Sequence, residues 1–304
     1  MVTKLVDTLL DRTLIGYSKV GYAARSRGFA PLPRLDGKVV IVTGARVGLG
    51  RATVEGLAAL GATVHMVVRG REAGETVRDE IVLAQPGADI IVDELDVSLL
   101  ANVRAYAAAW KGPLYAVVHN AGVMPPERVE TAEGHELTLA THVLGPHELT
   151  SRLPATDRSI WVSSGGMYAQ KLKVDDLEYL VGDYKPVTAY ARTKRMQVVL
   201  AQEWAKRLPS GVVHAVHPGW VDTPGIADGL PGFKKLTGRI LRTPAQGADT
   251  TVWLVAAREP GESTGRFWHD RVARPEHYTR LTRESSADRR ALWIAVERTS
   301  EASA

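Results

Sequence analysis

Val39-Val40-Ile41-Val42-Thr43-Gly44-Ala45-Arg46-Val47-Gly48-Leu49-Gly50 is the stretch that decides how this chain folds. A β-branched run passes straight into a glycine-rich turn, and a helix predicted over Arg51 to Leu60 closes at Gly61. Glycines at such a turn let the backbone bend tightly and approach a pyrophosphate, whose charge is met by free amides and the positive end of the helix. A glycine turn alone is weak evidence. Set between a strand and the helix that opens a β-α-β unit, it is a dinucleotide signal.

Outward from this unit, short β-branched runs alternate with helical stretches, the pattern of a parallel sheet covered on both faces. Strands are predicted at Val39 to Thr43, Thr63 to Val68, Ile90 to Leu95, Leu114 to His119, Ser159 to Ser163 and Val212 to His217, with a late one at Thr264 to Trp268. Helices are predicted around Leu99 to Trp110, His135 to Arg152, Val187 to Leu208 and Pro244 to Ala257, the last opening on a Thr243-Pro244-Ala245-Gln246 cap. The expected fold is α/β, a three-layer, doubly wound parallel sheet forming a single domain over residues 36–271. An N-terminal extension (1–35) precedes it and a C-terminal helical tail (272–304) follows.

The chain has 304 residues, 38 Lys and Arg against 34 Asp and Glu, and no cysteine. A disulfide scaffold, a thiolate metal site and a cysteine nucleophile are excluded. The basic residues are scattered, too thinly for a nucleic-acid footprint. No run of eighteen apolar residues and no signal-peptide pattern is present, so no membrane span is expected; the cysteine-free composition permits a cytoplasmic location, with membrane association through the N-terminal helix left open. His147-Glu148 lacks a second histidine at metalloprotease spacing and His214 with His217 lacks an acidic partner, so no metal is expected. Leu5, Val6, Leu9 and Leu10 gather on one face of a short N-terminal helix, whose stripe needs a partner: the main domain, another subunit or a membrane surface.

One pair carries chemistry by spacing alone. Tyr190 and Lys194 lie four apart on one predicted helix, so an ammonium can sit close to a phenol and favour its ionised form. Such a tyrosine can give a proton to a carbonyl oxygen or take one from an alcohol. At the end of the second strand, Val68 stands where a ribose-binding acid would be expected, Arg69 follows, and Arg46 in the glycine turn can approach the same place. That favours NADP(H) over NAD(H).

The glycine turn's spacing, Thr-Gly-x-x-x-Gly-x-Gly, resembles the short-chain dehydrogenase/reductase family, and further motifs match it in chain order from Lys38 to about Arg271. They are Asp96-Val97, Asn120-Ala121-Gly122, Ser163-Ser164, Tyr190-Ala191-Arg192-Thr193-Lys194 and Pro218-Gly219-Trp220-Val221-Asp222-Thr223. The resemblance implies a Rossmann-type fold and an NAD(P)-dependent oxidoreductase acting on a carbonyl or alcohol. It implies Ser164, rather than Ser163, as the substrate hydrogen bond, Tyr190 as acid or base, and Lys194 as holder of the nicotinamide ribose. It implies cofactor contacts at Gly44, Arg46, Gly48, Leu49 and Gly50, at Asp96 and Val97 near adenine, and at Asn120, Ala121 and Gly122 beside the sheet. Pro218, Gly219, Val221 and Thr223 would position the carboxamide.

In Ala140-Thr141-His142-Val143-Leu144-Gly145 the family normally has Asn in place of His142, on a helix carrying a water-linked proton path from the lysine. An imidazole can hold such a water, and His142→Asn is predicted to keep or raise turnover. A scaffold protein of the same fold is the alternative. A nucleotide-sugar epimerase is disfavoured by the glycine spacing. Val174-Asp175-Asp176-Leu177 resembles an insertion in retinol-dehydrogenase-like members, and residues 222–242 resemble a substrate lid whose apolar content suggests a lipophilic substrate. Relatives associate through the long helices at His135 to Arg152 and Val187 to Leu208, which makes a homo-oligomer plausible.

Overall fold

The computed structural model describes residues 4–222 and 238–302. Thr223 and most of the 222–242 lid segment therefore lie outside the described residues, as do the side chains of Leu5, Val6 and Leu9. Eight strands form one sheet: β1 (Val39–Thr43), β2 (Thr63–Val68), β3 (Asp89–Glu94), β4 (Ala116–His119), β5 (Arg158–Val162), β6 (Val212–Val216), β7 (Arg266–His269) and β8 (Val272–Arg274), in the order β3-β2-β1-β4-β5-β6-β7-β8. The first seven are parallel and β8 is antiparallel to β7. Val40, Ile41 and Val42 of β1 are fully buried, as expected for a strand covered on both faces. Strand order reverses between β1 and its neighbours β2 and β4. A crevice therefore opens at the carboxyl ends of these strands, where doubly wound sheets bind ligands.

The helices are α1 (Lys4–Asp11), α2 (Lys19–Ser26), α3 (Gly48–Ala59), α4 (Arg71–Ala84), α5 (Leu100–Ala109), α6 (Leu137–Leu139), α7 (Gly145–Arg152), α8 (Pro186–Ala205), α9 (Pro244–Ala256) and α10 (Ser286–Ala302). The one predicted helix at 135–152 is broken by a π-helical turn, Ala140–Leu144, between α6 and α7. α4 and β8 escaped the sequence reading. α4 is largely polar, and its narrow apolar stripe, Gly74, Val77 and Ile81, holds only two large side chains to read. The β7–β8 turn uses Asp270 and Arg271, both at positive φ, in place of the glycine or asparagine that usually signals a hairpin.

Two terminal segments clasp the domain. Arg25 pairs with Asp7 at 2.6 Å and with Asp270 at 2.8 Å, and Arg274 pairs with Asp7 at 2.7 Å, so buried charges tie the N-terminal segment to the β7–β8 hairpin. At the other end, α10 buries Leu292 and Val296, and Trp293 meets Trp204 of α8 and His147 of α7 edge-on. The C-terminal helix thus packs on α7 and α8, the helices named above for self-association.

Candidate active site

The glycine turn is held open by steric necessity. Gly44 has φ +64°, and a Cβ there would lie 2.7 Å from the Ala121 backbone. A side chain at Gly50 would meet the Gly44 carbonyl at 2.2 Å. Asn120 locks the turn from the neighbouring strand: its Nδ2 donates to the Thr43 and Gly44 carbonyls at 2.9 and 3.2 Å, and Thr43 Oγ1 accepts from the amides of Asn120 and Ala121. Gly48 is the first residue of α3, so the positive end of that helix, followed by Leu49, faces the turn. A dinucleotide pyrophosphate fits this side-chain-free cradle, and Arg46 and Arg69 stand exposed at its rim without an ion pair among the described residues. Val68 is buried in β2. Asp96 spends its carboxylate on the Ser98 amide and hydroxyl, shaping the loop after β3, and Val97 is buried beneath it.

At the far side of the crevice the two serines after β5 divide their work. Ser163 Oγ donates to the Lys194 carbonyl at 2.7 Å and is buried, so it fastens α8 to the sheet. The Ser164 side chain accepts from the Gly166 amide and lies close enough to the Tyr190 phenol to favour its ionised form slightly. Lys194 Nζ lies 5.4 Å from the centre of the Tyr190 ring and donates to the Val162 carbonyl at 2.8 Å and to Gln197 Oε1 at 3.0 Å.

The electrostatics differ from the expectation that the ammonium lowers the phenol's pKa. Burial pushes Tyr190 up, with Ser164 offsetting only part, and the same burial pushes Lys194 down to about 7. The desolvated site disfavours both charged forms. In the protein alone Tyr190 is therefore a protonated phenol, suited to giving up a proton.

His142, in the π-helical turn, is fully buried, and both ring nitrogens are engaged: Nε2 accepts from the Val123 amide at 3.0 Å and Nδ1 lies 2.8 Å from Thr193 Oγ1. An acceptor at Nε2 places the proton on Nδ1. Burial, with the nearby Lys194 charge, holds the ring neutral well below its ordinary pKa. Its edge faces the Tyr190 ring, with centres 5.4 Å apart. Gly122 packs against the same imidazole.

The loop after β6 closes the crevice. Gly219, at φ +84°, leaves room for the Arg242 guanidinium, which a Cβ would approach to 2.4 Å. Val221 is buried and bridges Arg242 in parallel, so the two ends of the 222–242 segment are pinned together. Arg242 pairs with Asp270 at 2.6 Å and donates to the carbonyls of Pro218, Gly16 and Ser18. His217, which the sequence excluded only as a metal ligand, accepts at Nδ1 from the Gly165 amide at 3.1 Å and the Gly219 amide at 3.4 Å. It therefore couples the serine loop to the Pro218-Gly219 loop. Neither His217 nor Arg242 could be singled out beforehand, because their partners are dispersed along the chain.

Comparison with known proteins agrees with this geometry. The family model for short chain dehydrogenase matches residues 38–153. The bovine protein named dehydrogenase/reductase SDR family member 12 is 38% identical, over 89% of this chain and 89% of its own. Human retinol dehydrogenase 11 is 33% identical over 72% of this chain and 73% of its own. A solved structure of an uncharacterized protein from Mycobacterium Paratuberculosis superposes with a TM-score of 0.72 at 27% identity, covering 89% of this chain and 96% of that one. With the sheet order, the glycine cradle and the Ser164, Tyr190 and Lys194 cluster, these likenesses identify the chain as a member of the short-chain dehydrogenase/reductase family, oxidoreductases that bind NAD(P).

Proposed function

We propose that this protein is an NADP(H)-dependent oxidoreductase that interconverts a lipophilic alcohol and its carbonyl. The observation that carries the reading is the convergence of Ser164 and Lys194 on the Tyr190 phenol, with Lys194 Nζ 5.4 Å from its ring centre, at the strand ends that also carry the glycine turn. The bound dinucleotide would exchange a hydride with the substrate carbon. In the reducing direction, Ser164 donates a hydrogen bond to the carbonyl oxygen while Tyr190 passes its phenolic proton to the same oxygen, which leaves as the alcohol. Oxidation reverses both transfers. Lys194 holds the ribose and its charge favours the phenolate left behind. The cradle from Gly44 to Gly50 takes the pyrophosphate, with the loops at Asp96-Val97, Asn120 to Gly122 and Pro218 to Thr223 completing the cofactor contacts.

NADP(H) is favoured because Arg46 and Arg69 flank the cradle while apolar Val68 offers no carboxylate to repel a 2′-phosphate. The likeness to retinol dehydrogenase 11 supports a lipophilic substrate. Among the described residues no helix is long and apolar enough to cross a membrane. Reduction of a panel of aliphatic, aromatic and isoprenoid aldehydes with NADPH, repeated with Tyr190→Phe, tests the reading. Turnover lost by roughly 10² to 10⁴ with NADPH affinity retained is expected. Absence of turnover across the panel, or a Tyr190→Phe protein as active as wild type, would leave the scaffold alternative standing.

A further inference from the structure

The buried ammonium of Lys194 has three N–H donors, and two are already committed. The Val162 carbonyl takes one at 2.8 Å and Gln197 Oε1 takes another at 3.0 Å, which leaves one for a partner in the crevice. Gln197 is itself fully buried, one turn along α8, and its Nε2 donates to the His142 carbonyl at 2.9 Å. The amide has only one workable orientation. Flipped, it would set an NH2 against the ammonium and an oxygen against the carbonyl.

We propose that Gln197 is a positioning residue that aims the free N–H of Lys194 into the crevice and joins the lysine to the π-helical turn carrying His142. Any kinetic consequence rests on the oxidoreductase reading above, but the contact network does not. An oxygen acceptor so near the ammonium favours its charged form, the form needed to hold a ribose hydroxyl or a phenolate. Replacing the amide with an apolar group removes that acceptor and also the donor to the His142 carbonyl. Replacing it with a carboxyl keeps an oxygen beside the ammonium and can add charge.

The experiment reads NADPH affinity by fluorescence titration between pH 6 and 9, with melting temperature as a check on folding, for wild type, Gln197→Leu and Gln197→Glu. Wild type should lose affinity with rising pH as Lys194 deprotonates. Gln197→Leu should move that loss toward acid and weaken binding at pH 8 by about fivefold or more, whereas Gln197→Glu should move it toward alkali. If Gln197→Leu fails to fold, the near-isosteric Gln197→Glu still gives the sign. Equal pH midpoints in all folded forms, shifts in the same direction for both variants, or pH-independent NADPH affinity in wild type would each overturn the proposal. Failure of the aldehyde panel alongside the expected binding shifts would refute the oxidoreductase reading and leave the role of Gln197 in place.

Discussion

The half of the sheet from β1 to β4 and the half from β5 to β8 build their sides of the crevice by different means. The first uses backbone: a glycine turn, a helix end and Asn120 tying them together, with two exposed arginines at the rim. The second uses buried charge: Arg242 and Asp270 are each 1% exposed at the side chain, Arg25 joins them from the N-terminal segment, and Lys194 lies beneath Tyr190. A backbone cradle is specified by neighbouring residues and tolerates little added volume. A charge network brings together residues more than two hundred positions apart and tolerates no missing partner.

The largest effect should come from breaking the second half. Asp270→Asn leaves the buried Arg242 guanidinium without its carboxylate and should cost about 3–5 kcal/mol, read by urea unfolding. A cost below about 1 kcal/mol would mean the network is not a keystone. Next, Gly44→Val should abolish NADPH binding while leaving a folded domain by circular dichroism, because it fills the cradle and strains a positive φ. Retained affinity would mean the pyrophosphate lies elsewhere. Arg69→Ala should weaken NADPH by about tenfold, the order of one charge-assisted contact, and leave NADH nearly unchanged. Equal losses for both cofactors would remove the 2′-phosphate argument.

Acid should load both halves more gently. Burial pushes His119 down to about 3 and His147 and His269 to about 4, so each is neutral when folded and takes up a proton near pH 6.5 when unfolded. The unfolded state binds more protons throughout that window. The stability these groups contribute is therefore complete above about pH 6.5, is lost as pH falls, and levels off at the folded values. Asp270 adds a second loss: burial alone would raise it, but His269, Arg242 and Arg25 together hold it far down, so its contribution fades only below about pH 4. Urea unfolding between pH 7 and 4 should show stability falling below about pH 6.5, and stability independent of pH across that range would contradict the burial of these neutral rings. The smallest change is expected from His142→Asn, with turnover at or above wild type and a lower melting temperature from the lost ring contacts; a turnover loss beyond roughly tenfold would make the imidazole itself necessary.

What the sequence made legible follows the same division. β1, the glycine turn and the Tyr190 and Lys194 spacing are local patterns, and the structure places them around one crevice. The central strands of the parallel sheet were readable because burial on both faces demands continuous apolar runs, and the edge strand β3 by its Ile90-Ile91-Val92 run alone. α4 was not, since it covers the sheet edge with few apolar side chains, nor was β8, whose turn is stabilised by distant arginines and not by turn-forming residues. The partners of His217 and Gln197 were invisible for the same reason: each joins loops or helices that meet only in the folded chain.

If the proposed reaction is right, nicotinamide C4 meets the substrate carbonyl beside the Tyr190 phenol. The most direct test is a single turnover with NADPH deuterated at C4 and an aldehyde, with the product analysed by mass spectrometry. Deuterium on the carbinol carbon with wild type, and none with a Tyr190→Phe protein that still binds NADPH, is the predicted result. An alcohol formed without deuterium from either face of the ring, or equal transfer by both proteins, would contradict it.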